Sequence, residues 1–279
     1  MLKSVRIISW FGTNDREKRV NAHARQVNWF KERSYEVIVF AQNYNEDEYI
    51  PGVRYIKHNG NVMLPGDARN VLLKDFYESD ESWSAFADND SILYCDTQHL
   101  DGNEFLSLFN SASGNYDLVD YFIPSDPAQT PFTKFFDDNK LSLSNNFWFS
   151  RTHKGKGSFF VLKNLSKFYK KEVYCKQSLF SENGKLISGE DIAFTLDLIQ
   201  NGFRTYELKN ILLNELCRNV STWNNNVDER KESIIKFREI ISNEFDIDCT
   251  DKNPKWSSWM KTHSTAPKTH LVSKYESWF

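Results

Sequence analysis

The sequence predicts an α/β fold: one domain on a mainly parallel sheet with helices on both faces, continued by a C-terminal extension. Three observations carry this. Apolar, strand-like runs alternate with helical patterns through the first 90 or so residues, as in sheets with helical crossovers. Polar loops rich in Asp, Asn and Gly close those runs where such sheets bind ligands. A chain of 279 residues, 40% hydrophobic and 26% charged, has the length and composition to bury a sizeable core.

"SVRIISWF" reads as a buried strand that stops at Gly12-Thr13-Asn14-Asp15. A helix should follow, because Asn14 and Glu17 have capping-box spacing and Val20, Ala24, Val27 and Phe30 share a helical face. "RSYEVIVFA" and "VRYIKH" are the second and third strands, and "NGN" turns the chain. Pro65 then opens a helix whose Ala68, Val71, Leu72 and Phe76 share a face. "WSAFAD" is the next strand, and the middle, from "LVDYFIPS" through "NNFWFSRTHKGKGSFFVLKN", reads as β structure broken by polar turns.

A further helix begins at "SGEDIAFTLDLIQNG": Ser188 and Asp191 have capping-box spacing, Ile192, Leu196 and Ile199 form a stripe, and Gly202 suits the stop. Residues 227–245 read as another helix, and the remainder as an extended tail packed by Trp256, Trp259 and Trp278. With no internal repeat, low-complexity block or linker, the division is 1–225 for the main domain, with halves of about 1–95 and 96–225, and 226–279 for a C-terminal helix and basic aromatic tail.

No run of 18 apolar residues predicts a membrane span, and "VRIISWF" is too short and poorly flanked for a signal peptide. The expectation is a soluble cytoplasmic protein. Cys95, Cys175, Cys217 and Cys249 form no Cys-x-x-Cys pair, which argues against a zinc knuckle or redox motif and for buried reduced thiols. The formal charge of −3 hides a segregation. Arg151–Lys176 carries eight Lys/Arg against Glu172 alone, and Lys252–Lys274 five Lys against no acid, so +12 sits there and −15 on the rest. Such a chain can meet a polyanion with its basic face, while solvated surface lysines are the plainer reading.

The most informative stretch is "WSAFADNDSILY". Asp88 and Asp90, one residue apart, point to the same side if the segment is extended, and could share a cation. Mg²⁺ and Mn²⁺ take oxygen ligands and, when serving diphosphates, one or two protein carboxylates; an Asx turn would use the same residues. A second acidic pair, Glu190-Asp191, follows about 100 residues later at a predicted helix start, where it would also simply favour the helix dipole.

The order of "SWFGTNDREKRVNAHARQVNWFKERSYEVIVFAQNYNED", "GDARNVLL", "FADNDSIL" and "GEDIAFTLDLIQNGFRTYEL" resembles the GT-A glycosyltransferases, particularly the inverting family-2 group, over roughly residues 4–215. The resemblance implies a GT-A-like fold with a Rossmann-like sheet and transfer of a hexose from a nucleotide sugar, UDP-glucose first, to an acceptor hydroxyl with inversion. It places Asp88 and Asp90 at the donor's ribose and diphosphate, with Asp90 the direct Mn²⁺ or Mg²⁺ ligand. Asp191 becomes the catalytic base, and Glu190 orients it or binds acceptor hydroxyls. Arg69 would lie near the donor, where a surface ion pair is the alternative, and Thr13 and Asp15 would read the nucleobase and ribose, or merely cap a helix. "LLNELCRNVSTWNN" lacks the late histidine of many relatives. His263 and His270 are substitutes as metal ligands, and Arg218 could neutralise the leaving group.

For the acceptor, the basic aromatic segments favour an anionic molecule. The leading expectation is double-stranded modified phage DNA, glycosylated on hydroxymethylcytosine or on its glucose as by T-even-type phage enzymes, with Lys154, Lys156, Lys170 and Lys171 on a face flanking the cleft. The alternatives are a bacterial surface-polysaccharide or lipopolysaccharide transferase, a nucleotidyltransferase, and a non-catalytic nucleic-acid- or glycan-binding protein on the same fold.

Overall fold

The computed structural model describes residues 2–12, 15–95, 118–125, 140–142, 148–152, 154–182, 185–187, 189–215, 227–245 and 247. In chain order the elements are β1 (Ser4–Trp10), α1 (Arg16–Glu32), β2 (Glu36–Gln42), β3 (Arg54–His58), α2 (Pro65–Tyr77), β4 (Trp83–Asp88) and β5 (Ser91–Cys95). After these come β6 (Tyr121–Ser125), β7 (Lys140–Ser142), β8 (Trp148–Arg151), β9 (Phe159–Lys163) and the short α3 (Leu165–Tyr169). The small hairpin β10 (Ser181–Glu182) and β11 (Lys185–Leu186) precedes α4 (Glu190–Gln200), β12 (Thr205–Glu215) and α5 (Val227–Phe245).

One sheet orders its strands β3-β2-β1-β4-β9-β6-β12-β8-β7, with β5 also pairing β12. The first four are parallel, with Val5 opposite both Val37 and Ala85. β9 runs antiparallel between β4 and β6, and β6 is parallel to β12. Following the pairings, seven of the ten strands that this sheet has among the described residues point the same way, so the predicted α/β class with a mainly parallel sheet holds.

The two faces are covered as β1 alternates. Val5 and Ile7 face α1, whose Val27 and Phe30 join Val39, Trp83 and Phe159 in one core. On the other face Leu72 and Phe76 of α2 and Phe194 and Leu198 of α4 pack on Ile38, Phe86 and Phe160. Fully burying each such side chain contributes about 1.5–3 kcal/mol. A third core joins α5, through Phe237, Ile241 and Phe245, to Ala193 and Leu196 of α4 and to Phe180. No helix among the described residues is long and apolar enough to cross a membrane.

Local signals explain several boundaries. Pro65 is the first residue of α2, where its missing N–H costs nothing. α4 ends as Gly202 (φ +84°) donates to Ile199 O and Phe203 to Leu198 O, a Schellman closure. The expected capping boxes rest on Asn14 and Ser188, which lie outside the described residues. The residues directly before α1 and α4 are Asp15 (φ 52°) and Gly189 (φ 116°), both left-handed and without a side-chain cap bond. At Gly189 a Cβ would stand 2.2 Å from the Phe237 ring, so α5 packs directly on the start of α4.

The buried face of α1 also differs from the expected one. It consists of Ala22, His23, Gln26, Val27 and Phe30, which leaves Val20 and Ala24 half-buried and turns two polar side chains inward. His23 is 1% exposed and edge-on to Phe11 and Tyr44. Burial lowers its pKa from 6.5 to about 4, outweighing the opposing pull of Gln26 and the Asn89 backbone.

The unfolded chain therefore takes up this proton first, and stability should be lost as pH falls from about 6.5 to about 4, by up to about 3 kcal/mol. Melting temperature measured across that interval should fall less in His23→Phe than in the wild type; equal slopes would show that His23 carries no such linkage.

Candidate active site

The carboxyl ends of β1 and β4 lie side by side, with Ile8 opposite Asp88. Asp88 closes β4, and its N–H donates to Ser158 O at 3.0 Å. The chain then turns at Asn89-Asp90 and leaves as β5 toward β12. Asp88 therefore ends the strand while Asp90 lies within the turn, and the two do not project together from one extended strand. The reason lies in Asn89, whose buried amide donates to Ser9 Oγ at 3.3 Å and Trp10 O at 3.4 Å at the end of β1. From α1, Gln26 Nε2 donates to Asp88 O at 2.6 Å and Ser91 O at 2.7 Å.

Arg69, on the second turn of α2, is 5% exposed. Its guanidinium donates to Asp88 Oδ1 at 3.2 Å and to Glu190 Oε1, at the start of α4, at 3.0 Å. Burial opposes the charge on Arg69, but the Asp88 and Glu190 carboxylates more than compensate and raise its pKa. Burial, then the charge of Asp191, pushes the Glu190 carboxyl above the ordinary range, and Arg69 pulls the other way.

Asp191 is oriented by backbone. Its Oδ2 accepts from Gly157 N–H at 2.9 Å and its Oδ1 from Ile192 N–H at 2.8 Å. The loop Lys154-Gly155-Lys156-Gly157-Ser158 crosses the start of α4 so closely that a Cβ on Gly155 would lie 2.2 Å from the Asp191 carbonyl. A Cβ on Gly157 would lie 2.5 Å from Arg69 Nη2. Arg69, Tyr121, Lys156, Phe160, Cys175 and Asp191 line a tight recess beneath this loop. The Cys175 thiol there is buried, and burial pushes it up to about 12.

Asp88, Arg69, Glu190 and Asp191, expected at the site, thus converge, with Asp90 on the adjoining turn. Asp15 stands at the same edge of the sheet but pairs with Lys18 on its own helix at 3.4 Å. Thr13, Arg218, His263 and His270 lie outside the described residues.

Among the described residues no group of three or more His, Cys, Asp or Glu side chains gathers as a metal cage. Oxygen donors at the Asp88–Asp90 turn nevertheless fit a hard divalent cation of the kind that keeps most positions for water and phosphate. Asp88 reaches Arg69 through Oδ1, and Asp90 lies on the turn that follows it.

The basic segment does not assemble into one face flanking this cleft. Lys154 turns inward to Glu207 at 3.2 Å, a carboxylate that Lys209 also reaches at 2.7 Å. Lys170 and Lys171 follow the far end of β9, where Lys163 pairs with Trp83 at the start of β4. The Lys171 ammonium lies 5.9 Å from the Phe203 ring, beyond the end of α4 opposite Asp191. Of the four lysines, Lys156 alone lines the recess; Lys252–Lys274 lies outside the described residues.

No protein-family model matches the chain, and no curated protein matches it in sequence. Among solved structures it is similar to a mannosyltransferase from Pyrobaculum calidifontis in complex with GDP-Man and Mn²⁺, at 9% identity and TM-score 0.46, over 94% of this chain and 68% of that one. A UDP-glucose pyrophosphorylase complexed with UDP-glucose aligns at 12% identity and TM-score 0.43, over 86% and 99%. A197 from STIV aligns at 14% identity and TM-score 0.39, over 76% and 85%. Likenesses this distant carry no argument about activity, which has to come from the chain's own residues.

Removing Arg69 would leave Glu190 buried without its counter-charge. Arg69→Met should cost about 3–5 kcal/mol in denaturant unfolding, and Arg69→Met/Glu190→Gln should recover part of it. Because the folded carboxyl is raised, it protonates before the unfolded one as pH falls, so the Arg69→Met deficit should be smaller at pH 5 than at pH 8. An undiminished deficit in the double variant would contradict the pairing.

Proposed function

We propose that the protein is a glycosyltransferase that moves a hexosyl group from a nucleotide sugar, UDP-glucose first among candidates, to an acceptor hydroxyl with inversion at the anomeric carbon. The supporting observation is the Arg69 bridge: it draws the acidic turn after β4 and the acidic start of α4, about 100 residues apart in sequence, into one charged group. That group stands at the carboxyl ends of the parallel strands, where open α/β sheets bind ligands.

In this reading Asp90, with Asp88, would hold the cation, Mn²⁺ or Mg²⁺, and the cation would supply charge neutralisation to the departing diphosphate. Asp191 is the base. As the acceptor oxygen bonds to the anomeric carbon and the bond to the diphosphate breaks, the hydroxyl proton passes to the Asp191 carboxylate. The N–H groups of Gly157 and Ile192 fix that carboxylate's direction, and each oxygen keeps lone-pair capacity for the proton. Glu190, held by Arg69, orients the start of α4. Lys156 beside Asp191 favours an anionic acceptor. Modified DNA and a phosphate-bearing surface saccharide both meet that description, and the inward Lys154 and distant Lys170 and Lys171 leave the DNA reading less support than the sequence lent it.

Incubation with Mn²⁺, a panel of nucleotide sugars, and hydroxymethylated DNA, glucosylated DNA or saccharide acceptors should yield a product of increased mass. Asp191→Asn should lower turnover at least about a hundredfold with little change in donor affinity, whereas Asp90→Asn should abolish transfer and weaken Mn²⁺-dependent donor binding. Wild-type turnover in Asp191→Asn, or an α-linked product from an α-linked donor, would remove Asp191 from the base role. Cleavage of a nucleoside triphosphate onto a sugar phosphate, with no glycosyl transfer, would favour a nucleotidyltransferase.

A further inference from the structure

Gln26 is, with His23, one of the two unexpected polar residues on the buried face of α1. It is fully buried, next to Val27 on a face that otherwise packs an apolar core. Burying an amide without partners costs roughly 1–3 kcal/mol, so a residue chosen for packing alone would be apolar. Both amide hydrogens are instead spent on two backbone carbonyls, Asp88 O at 2.6 Å and Ser91 O at 2.7 Å. These are the last carbonyl of β4 and the first of β5.

At this point the chain leaves its place beside β1 and crosses to pair with β12. Gln26 thus closes the two ends of the turn from below. Asn89 pins its middle to Ser9 and Trp10, and the Asp88 N–H ties it to Ser158. His23, one helical turn before Gln26, lies against the same amide and the Asn89 backbone. The turn so held carries the Asp88 carboxylate to Arg69 at 3.2 Å and presents Asp90 next to it.

We propose that Gln26 is a positioning residue: its buried amide sets the register and tilt of the Asp88–Asp90 turn, and so the affinity of that turn for a cation shared with a nucleoside diphosphate. The inference rests on the reading of Asp88 and Asp90 as the cation- and diphosphate-binding acids. Gln26 touches neither cation nor nucleotide. Its effect should therefore appear in metal-dependent binding and not in what the rest of the cleft contributes.

The test uses Gln26→Met, which keeps length and packing but removes both donors. Binding of UDP and of GDP is measured by calorimetry with and without Mn²⁺, beside the melting temperature. The expected result is a Mn²⁺-dependent affinity lowered about tenfold or more, with binding measured without Mn²⁺ unchanged and a cooperative melt retained. If Gln26→Met does not fold, Gln26→Asn, which keeps an amide one methylene too short to reach both carbonyls, takes its place with the same expectation. Wild-type Mn²⁺-dependent affinity in the folded variant overturns the role of Gln26 and leaves the proposed function standing. Absence of Mn²⁺-dependent UDP or GDP binding in the wild-type protein overturns the reading of the turn, and this inference with it.

Discussion

A guanidinium buried where α2, β4 and α4 meet must have carboxylates beside it, because an isolated charge there would be prohibitive to desolvate. Arg69 meets that demand with Asp88 and Glu190, and much of the local architecture follows. β4 has to end where Asp88 can reach α2, and α4 has to begin where Glu190 faces the same cation. Asp191, next in sequence, is then carried beneath the Lys154–Ser158 loop, into the recess that Arg69 also lines. The arrangement keeps several acids close together without mutual repulsion forcing the site open, since the arginine offsets part of their charge.

Around this centre the chain uses small residues and backbone in place of further charge. Gly155 and Gly157 let the Lys154–Ser158 loop lie against the start of α4, close enough for a backbone N–H to reach the Asp191 carboxylate. Gly189 does the same from the other side, letting Phe237 of α5 press on the helix start. The acidic helix start is thus enclosed by a loop and a helix that the sheet topology brings from distant parts of the sequence. Precise placement of a carboxylate by packed backbone is what a proton-accepting role demands.

The strands and helices of the first half were legible because their apolar runs are long and their breakers clear, and residues 227–245 were legible as a helix for the same reason. The acidic clusters, too, were visible as Asp-Asn-Asp and Gly-Glu-Asp. Their meeting through Arg69 is a long-range fact that no local pattern encodes. Gln26 and His23 were hidden because the α1 pattern of Val20, Ala24, Val27 and Phe30 is a valid face that shares Val27 and Phe30 with the one used and is rotated from it by only about a fifth of a turn. Polar demand at the Asp88–Ser91 turn decided between the two faces. The glycines of "KGKG" lie in a stretch that reads only as β structure broken by polar turns, and their close contacts appear only once α4 and Arg69 are beneath them. Charge counting grouped Lys154, Lys156, Lys170 and Lys171, but β9 separates them along its whole length.

The central claim is that the Asp88–Asp90 turn and the start of α4, joined through Arg69, form one nucleotide- and metal-binding centre. Its most direct test is anomalous diffraction from crystals grown with Mn²⁺ and UDP. The account predicts a manganese peak within bonding distance of an Asp90 carboxylate oxygen, shared with the diphosphate, with Arg69 still bonded to Glu190. Manganese and nucleotide bound away from that turn would contradict it.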